Sequence, residues 1–559
     1  MSSSSKLMDE LVQKHTSKLS YQFPQSFASF LNTNELPKAD VLASLSKNVS
    51  DALQSVTSDI ECLLNTYFQL QNIHHHLLQL DTDCKKAMAP AVARLPPEML
   101  MEVFRASHAV CDHGDILDLS WSPYVISHVC RLWRYIAIEK CPEIWADFGL
   151  ERNRWDFLKD PVALLSLALS RSGNSPLKFL VEGAGGNDCQ LVGGLSDETE
   201  LHWTTHENRD DGVTEEILQV LVEHCRRWKD VYFDIPLRLF HLLCPIRGRL
   251  QALVAFSYNE TSDIYPSLIS IESNILDGAP VLATITVSYF PNIESPMVIF
   301  VPRMCPKLNS FTDNRRWGDD ELHQHFLDIV RYFPDLRNFA VLLTGSFSIA
   351  DPRIVNQSII QLTASSGSFL RSITLPQLKD MDLMGSGSGS QADIHDTISS
   401  LYDLVAHSAC SLTSLKVSGC AVDEHLIYIL QVSPEITTLS LIFSKWQGDS
   451  VQTVQSLIAR LGEEEPALVP NLQTLSLKVR PDASSQTLVM GLLESNFLDS
   501  IEQRWRKGSL RSVTVDILPQ LQASQEEFTL TCPCHERLAR MEKEGFGVCF
   551  YRHYRSLLG

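Results

Sequence analysis

The chain has 559 residues, of which 44% are apolar and 20% charged, and its formal net charge is −20 at pH 7. This composition excludes a disordered chain, and the length exceeds one ordinary compact core unless the protein is an elongated repeat array. The negative charge disfavours nucleic acid as the main partner, because it repels a phosphate backbone. No apolar run approaches the ~18 residues of a membrane-spanning helix, so we expect no membrane partner.

The N-terminal sequence, MSSSSKLMDELVQKH, is polar and lacks the apolar core of a secretory signal. The 14 cysteines are scattered along the chain, as expected of reduced thiols. These features predict an intracellular protein of the cytoplasm, the nucleus or both.

Residues 1–46 are rich in Ser, Thr, Asn and Lys and predict a loosely ordered leader. Residues 47–90 predict an N-terminal amphipathic helix, because apolar side chains recur there in steps of three and four. This heptad seam consists of Leu53, Val56, Ile60, Leu63, Tyr67, Leu70 and Leu77, interrupted by His74. The length of this seam is compatible with two alternatives, a helix that packs on its own protein and a dimer formed through residues 53–77.

Residues 91–150 predict three short helices around a small core. Pro97 suits the first turn of a helix, where its missing N–H has no partner in any case. The apolar stripe of this first helix consists of Leu100, Val103 and Phe104, and that of the second consists of Val129, Trp133 and Ile136. Pro142 begins a third short helix that presents Trp145. So small a core is expected to leave apolar surface for a partner.

Residues 151–559 alternate short β-type segments with helical ones. The β-type segments include LKFLVEG, DVYFDIP, LQALVAF, LATITVSY, LRNFAVLL, LTSLKVSGC, ITTLSLIF, LQTLSLKV and LRSVTVDI, and the helical ones include DELHQHFLDIVRYF and SVQTVQSLIARL. Many β-type segments share the pattern L-x-x-L-x-L, which is typical of leucine-rich repeats. The fold class predicted is therefore an α/β leucine-rich-repeat solenoid, with irregular repeats and a flexible loop at MGSGSGSQAD.

The segments RLPPEMLMEVF and VCRLWRYIAIEKCPEIW strongly resemble the F-box, the adaptor-binding motif of Skp–cullin–F-box ubiquitin ligases. The matching positions are Leu95, Pro96, Glu98, Leu100, Val103, Phe104, Val129, Cys130, Trp133, Arg134, Ile144 and Trp145. The whole chain is similar to the F-box-like proteins multiplied in mushroom-forming fungi, which carry a leader, a heptad helix, the F-box and degenerate leucine-rich repeats. The segment between Phe104 and Val129 is longer than in a compact F-box. It either lengthens a loop harmlessly or alters the adaptor-facing surface.

The resemblance implies a substrate-receptor subunit that is not itself an enzyme. The F-box, residues 91–150, would bind a Skp-type adaptor and through it the cullin and RING subunits, while residues 151–559 would bind an unknown target protein. Leu95, Pro96, Leu100, Val103, Phe104, Val129 and Trp133 are expected to divide between the small core and the adaptor interface. The alternative is a leucine-rich-repeat interaction scaffold whose degenerate F-box has only a structural role.

Three further groups of residues contain side chains of the types that bind metal ions. Cys532, Cys534 and His535 form a C-x-C-H cluster but lack a fourth ligand. His74 to His76 are consecutive on a helix, and the spacing of His323 and His325 does not place both on one helix face. No phosphate-cradling or catalytic motif appears in the sequence. We therefore expect no metal, no cofactor and no catalytic residue.

Overall fold

The structure of the protein is a computed structural model. It describes residues 6, 9–10, 12–14, 16, 38–87, 95–109, 114–151, 158–182, 212–261, 272–289, 298–299, 305–317, 320–345, 347–385, 391–420, 423–443, 448–462, 468–479, 497–517, 532–552 and 555–556. The chain divides into two compact units, residues 1–97 and residues 98–559.

The first unit is dominated by one long helix, α1, which spans Ala39–Ala87. It begins inside the predicted 1–46 leader, because apolar residues at seven-residue spacing continue upstream of Val56 to Val49 and Leu42. Asp40 lies in the first turn, where a negative charge complements the helix dipole. No helix of the described residues is long and apolar enough to cross a membrane.

The second unit opens with short helical elements. These are α2 (Pro97–Ala109, whose first residue belongs to the first unit), α3 (Ser122–Val129), α4 (Arg131–Tyr135), a π-helical turn (Ile136–Lys140) and a 3₁₀ turn (Pro142–Trp145). Helix α2 begins at Pro97, as the sequence predicts. The predicted third helix is only the 3₁₀ turn, which Pro142 starts.

The rest of the second unit is built on one large sheet. Its strands in spatial order are β1 (Asp147–Glu151), β2 (Leu177–Glu182), β3 (Trp228–Pro236), β4 (Ala255–Thr261), β6 (Thr284–Tyr289), β8 (Ser310–Trp317), β9 (Asn338–Leu343), β11 (Gln361–Ala364), β13 (Asp380–Met384), β14 (Ser414–Ser418), β15 (Thr438–Phe443), β16 (Thr474–Val479), β17 (Ser512–Ile517), β18 (Gly547–Arg552) and β19 (Arg555–Ser556). All neighbouring strands are parallel except the last pair, in which β19 runs antiparallel to β18. The order along the sheet therefore follows the order along the chain.

Within the described residues, four very short strands lie outside this sheet and form two parallel pairs: β5 (Glu272–Ser273) with β7 (Val298–Ile299), and β10 (Ile354–Val355) with β12 (Ile373–Thr374). Most connections in the main sheet contain helices. These are α5 (Pro161–Arg171), α6 (Gly212–Glu223), α7 (Asp320–Tyr332), α8 (Gly367–Arg371), α9 (Gln391–Ser408), α10 (Glu424–Val432), α11 (Gly448–Gly462), α12 (Leu498–Arg506) and α13 (Cys532–Lys543), with 3₁₀ turns at Cys225–Arg227 and Leu237–Ile246. Parallel neighbours require such crossovers. The fold is therefore mixed α/β with a parallel sheet and an N-terminal helix, as predicted at that level.

The L-x-x-L-x-L pattern accounts for the register of the C-terminal strands. Leu415, Leu439 and Leu475 occupy the same position in β14, β15 and β16, where they pair across neighbouring strands. All three are buried, and the residues on either side of each point to the opposite, polar face. The first leucine of each pattern, for example Leu472, is buried in the turn before the strand.

One predicted strand differs in detail, and one predicted loop is only partly described. Of the predicted strand LQALVAF, only the end is β structure, because Leu250 and Leu253 are buried in the turns before β4. In the predicted loop MGSGSGSQAD, residues 386–390 lie outside the described residues.

Candidate functional site

Helix α2 separates its apolar side chains onto two flanks. Leu100 and Phe104, one turn apart, are 0% and 1% exposed and belong to the core. Met99 and Val103, also one turn apart, are 51% and 41% exposed. Consecutive residues lie about 100° apart around a helix, so Val103 faces away from the core while Phe104 faces into it. The prediction of one common stripe for Leu100, Val103 and Phe104 is therefore wrong.

The predicted second stripe is also divided, because Cys130 interrupts the helix. Its backbone is extended (φ −159°, ψ 173°), which ends α3 at Val129 and starts α4 at Arg131. Its Sγ accepts a hydrogen bond from the backbone N–H of Trp133 at 3.5 Å and so caps α4. Val129 is 56% exposed and Ile136 is buried, so the two do not share a face.

Trp133 and Arg134 fasten α4 to its neighbours. The Trp133 ring is half-buried and lies 5.0 Å, centroid to centroid, from the ring of the core residue Phe104. Arg134 Nε donates a hydrogen bond to the backbone carbonyl of Ser127 in α3 at 2.9 Å. Arg134 thus positions α4 against α3, and Trp133 joins α4 to the core.

Ile144 and Trp145, the last two of the predicted F-box residues, are fully buried. The indole N–H of Trp145 donates to the backbone carbonyl of Ala137 at 2.8 Å. Its ring packs edge-on against Trp121 at 5.6 Å, and the guanidinium of Arg171 lies over it at 4.5 Å. This position stabilises the core and offers no surface to a partner.

Leu95, Pro96 and Glu98 lie at the start of α2. Pro96 and Glu98 are exposed and Leu95 is half-buried. Glu98 is in the first turn of α2, where its carboxylate complements the helix dipole.

The long segment between Phe104 and Val129 contributes to the core. Within its described part, Ile116, Trp121 and Tyr124 are buried. The backbone N–H of Ile116 donates to the carbonyl of Gly149 at 3.0 Å, and Gly149 N–H donates to the carbonyl of Gly114 at 3.0 Å. These bonds cover the outer edge of β1, which would otherwise present unpaired backbone groups.

The helical elements are therefore continuous with the sheet. Residue 150, where the sequence places the end of the three-helix segment, lies inside β1. Arg105 of α2 adds a further link, because its Nε donates to Glu143 Oε1 of the 3₁₀ turn at 2.6 Å. This hydrogen bond raises the pKa of the Arg105 guanidinium.

Several apolar side chains on α2, α3 and α4 face solvent. We call the following five residues the docking surface: Met99, Val103, Val129, Leu132 and Tyr135, all between 41% and 56% exposed. These helices pack together, α2 on α4 through Phe104 and Trp133, and α4 on α3 through Arg134. Sequence reasoning named Val103 and Val129 but missed Met99, Leu132 and Tyr135, although each lies within three residues of a matched position. The sequence signal that could have identified these three residues is their apolar character next to the matched positions.

Of the possible metal ligands, those whose side chains the structure describes do not converge. Among the described residues, no group of three or more His, Cys, Asp and Glu side chains is placed to hold a metal ion. His323 is a core histidine that stacks on Phe347 at 4.8 Å, and burial lowers its pKa. His74, His75 and His76 are exposed on α1. The side chains of Cys532, Cys534 and His535 lie outside the described residues.

Burial also holds several thiols in their protonated form. It raises the pKa of Cys141, Cys305 and Cys410 to about 11 and that of Cys420 to about 12. A reactive cysteine requires the thiolate at neutral pH. These four thiols are therefore packing residues.

No model of a known protein family matches this sequence, and no curated protein matches it.

Proposed function

We propose that the protein is the substrate-receptor subunit of a Skp–cullin–F-box ubiquitin ligase and that the docking surface binds the Skp-type adaptor. The observation that carries this proposal is the division of the helices into a closed core and an exposed apolar flank. Met99 and Val103 stay exposed although Leu100 and Phe104, on the same helix, are buried. Exposed apolar residues concentrated on neighbouring short helices are typical of a protein-binding site.

The energetics support a partner that buries this flank. Complete burial of a side chain such as Val, Leu or Met contributes about 1.5–3 kcal/mol. Because the five side chains are about half exposed, burial of each by a partner contributes roughly 1 kcal/mol. The apolar term alone then lies near the lower end of the ~4–15 kcal/mol that association costs. Additional polar contacts, for example from Glu98, are needed for a stable complex.

We further propose that residues 151–559 form an irregular leucine-rich-repeat array that binds the target protein. The sequential parallel strands and the stacking of Leu415, Leu439 and Leu475 support this interpretation. The face opposite these leucines is polar and carries, for example, Lys416, whose Nζ lies 2.7 Å from Asp382 Oδ2. It is the surface proposed for the target. The chain itself then performs no chemistry, and it accelerates transfer by holding the target close to the enzyme.

A second candidate is a repeat scaffold in which the helices have only a structural role. One observation favours it: the segment before α3 covers the edge of β1 through Ile116 and Gly149. In this case the helices terminate the sheet and bind no adaptor.

The two candidate functions are distinguished by measuring the Kd of a purified Skp-type adaptor for two variants of the full chain, Val129→Glu and the matched control Val432→Glu. Both valines end short helices, and they are 56% and 50% exposed. A carboxylate buried at the interface and the lost valine contact together cost about 2 kcal/mol or more, which is about 30-fold in Kd. We expect that loss for Val129→Glu and wild-type affinity for Val432→Glu.

Phe104→Ala is unsuitable for this experiment. Phe104 is 1% exposed, so its truncation damages the core whether or not an adaptor binds.

If the wild-type protein does not bind the adaptor, or if both valine variants bind like the wild type, the docking surface is not an adaptor site and the scaffold is the better account.

A further inference from the structure

Helix α1 presents apolar side chains to solvent along most of its length. Its 49 residues extend over about 74 Å at 1.5 Å per residue. Leu53, Tyr67, Leu70 and Leu77 are all more than half exposed. A helix of this length with such a surface requires a partner along its seam, because helices gain most of their stability by packing an apolar face.

The seam is longer than the sequence suggested. In heptad notation, its a positions are Ser46, Leu53, Ile60, Tyr67 and His74, and its d positions are Leu42, Val49, Val56, Leu63, Leu70 and Leu77. Every d position is apolar, and the polar residues of the seam, Ser46 and His74, both occupy a positions near its two ends. A polar residue at an a position specifies the register and the number of strands of a coiled coil.

The strict seven-residue repeat of apolar residues along α1 indicates that its partner is another helix. An ideal α-helix drifts by about 20° per heptad relative to this repeat, so five heptads rotate a straight stripe by roughly 100°. Only a second helix that winds around the first can follow such a stripe. The next longest helix among the described residues is α9, with 18 residues, which is too short to follow it. Another copy of α1 has the required length and pattern.

We propose that α1 forms a parallel, in-register, two-stranded coiled coil with α1 of a second copy of the chain. In this arrangement each polar a residue meets its own counterpart, and each g residue faces the e residue of the following heptad on the other helix. Ile73 then meets Leu78, and Thr66 meets Gln71, so in the C-terminal heptads apolar faces apolar and polar faces polar.

The size of the seam is sufficient for a stable dimer. A standard interface takes about 20–30 residues from each partner. The a, d, e and g positions, four in each of five heptads, provide about 20 residues per helix. Asp59, a g residue that would face Leu64, is engaged within the chain, because Lys14 Nζ lies 3.1 Å from its Oδ2. The a and d residues of the following heptads, Tyr67, Leu70 and Leu77, are exposed.

The first test compares two double variants of the full chain. Ile60→Glu with Leu70→Glu places charges at an a and a d position, whereas Asn65→Glu with Asn72→Glu places the same charges at two outward f positions. We expect sedimentation equilibrium to give a wild-type mass of twice 62.9 kDa, the same mass for the f variant, and a dissociation constant raised at least 100-fold for the seam variant. Unchanged thermal melting of the remaining fold shows that the seam variant is not simply unfolded. A monomeric wild type at tens of micromolar, or a seam variant that remains dimeric, overturns the proposal.

The second test determines the orientation of the helices. Cys84 lies at the d position one heptad after Leu77, beyond the charged a residue Asp81 that follows the seam, and Cys62 lies at an outward c position; both cysteines are exposed. In the parallel register the two Cys84 thiols face each other, so mild oxidation is expected to give a covalent dimer that Cys84→Ser abolishes and Cys62→Ser retains. An antiparallel pair places the two Cys84 residues at opposite ends. Cross-linking that depends on Cys62, or none at Cys84, contradicts the parallel arrangement.

Discussion

Truncation of Phe104 and truncation of its neighbour Val103 are predicted to have very different effects. Phe104 is 1% exposed and packs on Trp133 at 5.0 Å. Phe→Ala at such a site costs about 3–5 kcal/mol, to which the aromatic pair contributes about 0.5–1.5 kcal/mol. Val103 is 41% exposed, so Val103→Ala is expected to change the stability by no more than about 0.5 kcal/mol.

Hydrogen exchange of the amides in α2 measures this difference locally, which is necessary because a chain of this size does not unfold in two states. A loss of 3–5 kcal/mol corresponds to exchange faster by about 10²-fold or more in Phe104→Ala. Val103→Ala should exchange like the wild type. Equal acceleration in both variants, or none in either, would refute the division of α2 into a core flank and a solvent flank.

Three further predictions concern stability. Burial, opposed by the hydrogen bond from Asn259, raises the pKa of Asp234 to about 6. Its ionisation therefore destabilises the fold as the pH rises from about 4 to above 6. Asp234→Asn should stabilise β3 by about 1–3 kcal/mol at pH 7.5 and by nothing near pH 3.5, measured by hydrogen exchange of the β3 amides. Arg504 is buried and donates to the backbone carbonyl of Leu461, in the last turn of α11, and to those of Leu468 and Val469 in the connection that follows, the last at 2.9 Å. Arg504→Met should cost about 3–5 kcal/mol and make the chain around Leu468 and Val469 sensitive to limited proteolysis. Unchanged proteolysis there would contradict that role. Trp145→Phe removes the bond to Ala137 and should cost about 1–3 kcal/mol in the same exchange experiment on the 3₁₀ turn; wild-type protection there would show that the bond contributes little.

The elements that the sequence predicted well are those with strong local patterns. The start of α2 at Pro97, the helices α7 and α11 and the strands around Leu415 and Leu439 all have such a pattern. Periodicity and proline chemistry act over a few residues, so they are visible without the fold.

The parts that were missed depend on tertiary contacts. The break at Cys130 divides one apparent stripe between two helices, and nothing in the apolar pattern marks it. The burial of Ile116 and its bond to Gly149 require β1, which is distant in sequence and was not predicted as a strand. For the same reason the sequence could list positions that resemble an F-box but could not separate core positions such as Trp145 from exposed ones such as Val129.

The most direct test of the proposed function is a hydrogen-exchange footprint of the full chain with and without a purified Skp-type adaptor. If the docking surface binds the adaptor, exchange should slow in Pro97–Ala109 and in Ser122–Tyr135 and remain unchanged in α10, which carries the control residue Val432. A footprint confined to the sheet, or no footprint at adaptor concentrations of tens of micromolar, would contradict the proposal.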